Sequence, residues 1–165
     1  MDFVTPHLLI GNLAEACDEE LLRKYRIGAV VNCCKEPPPY ELYRDLDLRA
    51  LWIPFDDGMP FGRELYAEFI LAFEFVKEEL KAGKNVLVHC RAGVSRSSAF
   101  VTAYLYWSRS ERTFDRAFDR VRAAHSIALP HFDILASFKE LLGLAANRET
   151  YLEFWLKEMA KRGYL

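Results

Sequence analysis

Residues 85–98 read Asn85-Val86-Leu87-Val88-His89-Cys90-Arg91-Ala92-Gly93-Val94-Ser95-Arg96-Ser97-Ser98, and this stretch decides the fold. Val86 to His89 carries apolar residues at both parities, the pattern of a strand in the middle of a covered sheet. The run ends in a cysteine, and a Cys-x5-Arg spacing then leads to two serines. A thiol attacks well only as the thiolate, so a nucleophilic cysteine needs positive potential around its sulfur. If the chain after Cys90 curls into a loop that opens a helix, its backbone N–H groups converge on one point. The helix end adds partial positive charge there. The loop Arg91, Ala92, Gly93, Val94, Ser95 and Arg96 would then favour a thiolate and cradle a dianionic phosphate by the same means. Arg96 offers a planar fork of donors to two phosphate oxygens, and Gly93 permits backbone angles that a side chain would obstruct.

Outward from this stretch, the elements alternate. His7 to Ile10 reads as a short apolar strand ended by Gly11-Asn12. Asp18 can cap a helix running to about Arg26, with Gly28 just past its end. Ala29 to Asn32 and Arg49 to Ile53 read as further strands. Leu65, Phe69, Ala72, Phe73, Val76 and Leu80 recur at helical spacing up to Gly83, and the Phe69, Phe73, Val76 stripe reads as core. Beyond Cys90 the pattern predicts helices from about Ser97 to Trp107, from a Thr113 cap to Ala124, over Phe132 to Leu144, and over Glu149 to Lys161. Strands alternating with helices, then a run of helices, predict an α/β fold with a central, mostly parallel sheet flanked by helices. Its C-terminal half is helical, and the loop after Cys90 joins a strand to a helix where such sheets bind ligands. Neither a Gly-x4-Gly-Lys-Ser/Thr nor a Gly-x-Gly-x-x-Gly loop is present, which excludes two common nucleotide sites.

With 165 residues, 52% hydrophobic and 14% aromatic, the chain reads as one domain, 1–165, with a real core. Pro37-Pro38-Pro39 reads as a rigid loop within it. Its 22 basic and 24 acidic residues give a net charge of -2 and no basic run, which argues against nucleic acid as a partner. No apolar stretch is long enough for a membrane span or a leader peptide. Cys17, Cys33, Cys34 and Cys90 do not form a disulfide framework, and without Cys-x-x-Cys or clustered histidines no metal or cofactor is expected. A reduced, cytoplasmic setting follows. His125 and His131 read as surface or capping residues, and Arg63 either as a solvated helix start or as a contact for a phosphorylated partner or head group. Arg109, Arg112, Arg116, Arg120 and Arg122 form a mixed-charge face with Glu111, Asp115 and Asp119.

The His-Cys-x5-Arg-Ser pattern, with its Val-Leu-Val strand and internal Ala-Gly, resembles the signature loop of the cysteine-dependent protein tyrosine phosphatase superfamily. Over roughly His7 to Leu142 the chain looks like a compact dual-specificity phosphatase. His7-Leu8-Leu9-Ile10-Gly11-Asn12 and Ile27-Gly28-Ala29-Val30-Val31-Asn32 are similar to that family's first strands. Ile53-Pro54-Phe55-Asp56-Asp57 is similar to its Ile-Pro-x-x-Asp. His131 stands where the family often has Asn, Ser137-Phe138 where it has Gln-Leu, and the tail after Arg148 has no counterpart.

The resemblance implies phosphomonoester hydrolysis on protein Tyr and Ser/Thr side chains. Cys90 would be the nucleophile, Arg96 and the loop amides the phosphate cradle, and Asp57 the general acid. Ser97 would donate to the regenerated sulfur, and His89 would orient the loop from behind. Spacing alone does not separate Asp56 from Asp57; the family pattern selects Asp57. It further implies a phosphoprotein substrate, with inositol lipids or other non-protein phosphomonoesters as the alternative and a silent phosphate-binding module as a third reading. Oligomeric state is not legible. Cys33 and Cys34 follow an Asn-ended strand, where some superfamily members (the tensin-like lipid phosphatase among them) carry a cysteine that traps the oxidised nucleophile. Cys34 is the closer match, and the competing reading makes both small buried residues.

Overall fold

The computed structural model describes residues 1–165. Its strands are β1 (Asp2–Thr5), β2 (Leu8–Asn12), β3 (Ile27–Asn32), β4 (Arg49–Trp52) and β5 (Asn85–Cys90), which form one sheet in the order β1-β2-β5-β3-β4. β1 pairs antiparallel with β2, and the other three pairings are parallel. β5 is therefore central, with Val88 beside Ile10 on one flank and Val31 on the other. Alternation along each strand sorts the side chains onto two cores. Leu8, Ile10, Ala29, Val31, Val86 and Val88 enter the larger one, while Leu9, Val30 and Leu87 enter the smaller. A strand covered on both faces must be apolar at both parities, which is why β5 shows no polar alternation.

The smaller core is closed by α1 (Leu13–Ala16), α2 (Glu19–Lys24) and α3 (Tyr40–Asp45) through Ala16, Leu22 and Tyr43. The larger is closed by α4 (Tyr66–Lys81), α5 (Arg96–Trp107), α6 (Phe114–Ala124) and α7 (Phe132–Leu141), and α8 (Arg148–Lys161) packs on α7. The expected caps are in place: Asp18 Oδ1 accepts the Leu21 N–H at 3.0 Å and Thr113 Oγ1 the Arg116 N–H at 3.2 Å. Phe69, Phe73 and Val76 are fully buried, as their spacing predicts. No helix is long and apolar enough to cross a membrane.

Some expectations need correction. α2 stops at Lys24, and Arg26 rather than Gly28 takes the left-handed conformation, at φ 49°. Gly28 lies inside β3, where a Cβ would come within 2.9 Å of the Lys84 side chain. α7 ends at Leu141, short of the predicted Leu144. β1, α1 and α3 were not legible as periodic segments because each is very short. β1 buries only Val4, and α3 buries only Tyr43, whose hydroxyl donates to the Ala16 carbonyl at 2.9 Å.

Six phenylalanines meet at the end of the sheet that carries Cys90. Phe138 of α7 lies with its ring centroid 4.8 Å from Phe61 and Phe69, 6.2 Å from Phe73, 6.3 Å from Phe55 and 6.4 Å from Phe100. Ser137 Oγ accepts the Phe61 N–H at 3.1 Å, so helix α7 anchors both the root and the return of the loop containing Asp56 and Asp57. Truncating Phe138 to Ala would leave a cavity against five rings. The expected loss is about 3–5 kcal/mol in the free energy of unfolding, measured by urea denaturation.

Candidate active site

Cys90 ends β5 at 1% exposure, and the next five residues turn over the start of α5. Three carbonyls of that turn are held from outside. The Leu13 N–H donates to Arg91 O at 3.2 Å, and the Leu129 N–H to Val94 O at 2.9 Å. His125 Nε2 donates to Gly93 O at 2.8 Å, while its Nδ1 lies 2.6 Å from Asp2 Oδ2. His125 takes the C-cap position of α6, one of the two places its sequence context predicted, but it is a buried brace and not a surface residue. With their carbonyls drawn outward, Arg91 through Ser95 keep five backbone N–H groups that donate to no protein acceptor. Such a nest is an anion site. Gly93 sits at φ 73°, and a Cβ there would fall 2.9 Å from Gly11 O, so both conformation and space require glycine.

Arg96 opens α5 and turns back into the same pocket. Its Nη1 donates to the carbonyls of Cys33 and Phe55, each at 3.3 Å. Its Nε is buried with no hydrogen-bond partner, 3.7 Å from Asp57 Oδ2. A buried charged donor left unsatisfied is costly, and an oxyanion seated on the loop would supply its partner. Ser97 Oγ lies 3.3 Å from Cys90 Sγ, and both atoms belong to buried residues.

The two adjacent aspartates are separated by their partners. Asp56 Oδ1 is bound by Lys35 Nζ at 2.6 Å, whereas Asp57 faces Arg96 with about half of its side chain exposed to the cleft. Sequence spacing could not make that distinction. Arg91 is exposed and ion-paired with Glu36, so its side chain serves the rim and not the phosphate cradle.

Behind the loop, His89 is fully buried, with Nδ1 3.8 Å from Cys34 Sγ. Burial first, and the Arg96 charge second, push its pKa down to about 4 against an opposing hydrogen bond with the Cys90 backbone. The ring is therefore neutral at physiological pH. Between pH 6.5 and 4 the unfolded chain binds this proton and the folded chain does not. The stability that His89 contributes is thus complete above pH 6.5 and is lost as pH falls towards 4, by about 3 kcal/mol. Urea titrations across that window should show the slope, and His89→Gln should flatten it.

Cys33 and Cys34 are buried at the end of β3. Burial, reinforced by the neighbouring Cys90, raises both thiols, Cys34 to about 12. His131 caps α7, its Nδ1 accepting the Asp133 N–H at 3.3 Å, and its own N–H donates to Ser95 Oγ at 3.1 Å. The arginine-rich face is mixed as expected, with Arg116 and Arg120 paired to Glu111, although Arg120 also donates to Val4 O. Arg63 is exposed in a single 3-10 turn ahead of α4. No three His, Cys, Asp or Glu side chains are grouped so as to hold a metal ion. The braces that sequence reasoning missed, His125 and the Ser95 hydroxyl, act across more than thirty residues and leave no local signal.

The family described as dual specificity phosphatase, catalytic domain, matches residues 8–141. The dual specificity protein phosphatase Mpk3 of Drosophila melanogaster is 36% identical over 140 residues, covering 83% of this chain and 33% of that protein. Human dual specificity protein phosphatase 2 is 33% identical over 132 residues, covering 80% and 40%. The chain therefore spans well under half the length of these relatives. Among solved structures, a mouse putative dual specificity phosphatase complexed with zinc tungstate superposes with a TM-score of 0.73 at 32% identity, over 85% of this chain and 84% of that one. Human DUSP28 gives 0.74 at 27% identity, over 86% and 94%.

Proposed function

Because the chain belongs to the dual-specificity phosphatase catalytic-domain family, we propose that it hydrolyses phosphomonoesters of protein Tyr and Ser/Thr side chains through a cysteinyl-phosphate. The observation that carries the reading is that one turn of chain holds Cys90 Sγ beside Ser97 Oγ, five loop amides without protein acceptors and the unpartnered, buried Nε of Arg96. A substrate phosphate seated there has its equatorial oxygens held by the amides and the guanidinium. Cys90 thiolate attacks phosphorus as the ester P–O bond breaks, and Asp57 gives its proton to the departing oxygen. Asp57 carboxylate next takes a proton from the water that attacks the same phosphorus. The S–P bond breaks, inorganic phosphate leaves, and the Ser97 hydroxyl donates to the regenerated thiolate. His89 keeps the loop in register from behind and touches no substrate.

Protein substrates are favoured over inositol lipids because Arg91 is the one basic residue in the loop besides Arg96, and it is paired with Glu36. Turnover of a panel of phosphotyrosine and phosphothreonine peptides, inositol lipids and phosphoglycerolipids tests this. Faster hydrolysis of an inositol lipid than of every peptide would reassign the substrate. The shared sheet between the two cores supports residues 1–165 as a single catalytic unit. Four free cysteines are in keeping with a reduced, cytoplasmic setting.

Oxidation offers a second test of the pocket. Peroxide oxidises the Cys90 thiolate to a sulfenic acid as its O–O bond breaks and hydroxide leaves, and a neighbouring thiol then displaces water from the sulfenic acid to form a disulfide. We assign that thiol to Cys34 ahead of Cys33: both are buried just past β3, whose Asn32 pairs with His89 of β5, and Cys34 Sγ lies 3.8 Å from Nδ1 of His89, the residue before Cys90. The Cys34 thiol stays protonated at neutral pH, so trapping should accelerate as pH rises. Non-reducing peptide mapping after stoichiometric peroxide should yield a Cys34–Cys90 pair or, if Cys33 acts instead, a Cys33–Cys90 pair. Reversible inactivation without either, unchanged in Cys34→Ser, would exclude the trap.

A further inference from the structure

We propose that helix α8 builds a second subsite at the mouth of the catalytic pocket, which takes an apolar side chain next to the phosphorylated residue of a protein substrate. The proposal rests on the reading of this chain as a protein phosphatase.

A recess of about 280 Å³ opens beside the phosphate loop. Asp57, Val94 and Ser95 line its catalytic side, and Leu129, His131, Trp155 and Met159 its far side. Whatever seats a phosphate on Cys90 must lay its neighbouring atoms against walls of this kind. The recess is smaller than the roughly 300–1,000 Å³ of sites that enclose a whole small molecule, and suits one side chain.

Its walls are firmly held. Trp155 packs edge-on against His131 at 5.3 Å and Phe132 at 5.7 Å. His131 is fixed by its cap on α7, and its ring abuts Gly58, where a Cβ would stand 3.8 Å from Cδ2. Arg162, just past α8, donates to Ile127 O at 3.0 Å and Ala128 O at 3.4 Å, securing the segment that carries Leu129. Burial lowers the His131 pKa, so the ring is uncharged at neutral pH. Asp57, at the catalytic edge, is then the only charge in the lining. An aromatic, a thioether and an aliphatic wall with no free ion select against charged occupants, whose desolvation nothing would repay. Around Arg91 and Glu36 the rim is charged instead, which gives a bound peptide two unlike neighbourhoods. α8 lies beyond residues 8–141, so this wall is an addition to the matched catalytic segment.

The test compares kcat/KM for phosphotyrosine peptides bearing Leu, Ser or Asp at the residues flanking the phosphotyrosine. The wild-type protein should favour Leu over Ser by about tenfold, the yield of partly burying one apolar side chain. Trp155→Ala and Met159→Ala should bring that ratio towards one. Met159→Lys should reverse the ranking in favour of Asp. Met159 is part-exposed on a surface helix, so this variant carries the test if Trp155→Ala fails to fold. A merely structural α8 would leave the ratios unchanged, and so would overturn the subsite. Wild-type turnover of all peptides without preference overturns the subsite alone. Failure of the wild type on every peptide and on a small aryl phosphate overturns the phosphatase reading, and the subsite with it.

Discussion

Cys90→Ser is expected to lower turnover of any phosphomonoester by at least about 10⁴-fold, the scale on which removal of a covalent nucleophile acts. Binding of a tetrahedral oxyanion such as tungstate should survive in the same variant. The proposed cradle consists of backbone amides from Arg91 to Ser95 and the Arg96 guanidinium, all without protein partners at the donors it needs, and the substitution alters none of them. Loss of catalysis with retained oxyanion binding is the signature of a missing nucleophile in an intact site. Measurable hydrolysis of an aryl phosphate by Cys90→Ser would remove Cys90 from that role. Arg96→Lys should instead damage binding and rate together. A lysine cannot reproduce the contacts to the Cys33 and Phe55 carbonyls while aiming a second donor at phosphate.

Asp57→Ala should slow turnover by roughly 10²–10⁴, the usual contribution of a positioned acid. The loss should be greater for phosphothreonine than for phosphotyrosine peptides, because an alkoxide is a poorer leaving group than a phenolate and needs the proton more. Asp56→Ala should have a small effect, since that carboxylate is engaged by Lys35 on an exposed surface. Single-turnover kinetics on both variants, with folding checked by circular dichroism, decides between them. A larger loss in Asp56→Ala would reverse the assignment.

Much of this molecule was legible where one segment carried its own reason. β5, the loop and α5 are contiguous, so nucleophile, amides, Arg96 and Ser97 could be read as a unit from one run of residues. Helices with a cap at one end and a periodic face, such as α4 and α6, were placed to within a residue or two. What escaped were contacts between segments distant in the chain. Spacing left Asp57 and Asp56 together and only the family pattern chose between them; the different partners, Arg96 and Lys35, each arrive from another element. His125 gave no sign that it would be buried between Asp2 and Gly93, because a histidine after a helix is ordinarily a surface feature. Gly28 looked like a helix stop because glycine serves there so often. The crowding by Lys84 that requires it inside β3 is a tertiary fact.

The strand order also fixes when the site comes into being. β5 lies between β2 and β3, which leave the ribosome long before it, so neither of those strands can complete its pairing until β5 slots between them. Closing such long, parallel connections is entropically costly and slow. Before that insertion there is no loop, no sulfur held beside Ser97 and no amide nest, whatever helices have already formed. On the proposed mechanism, activity would therefore report the closing of the sheet, and a nascent or partly opened molecule would be silent without any separate inhibitor.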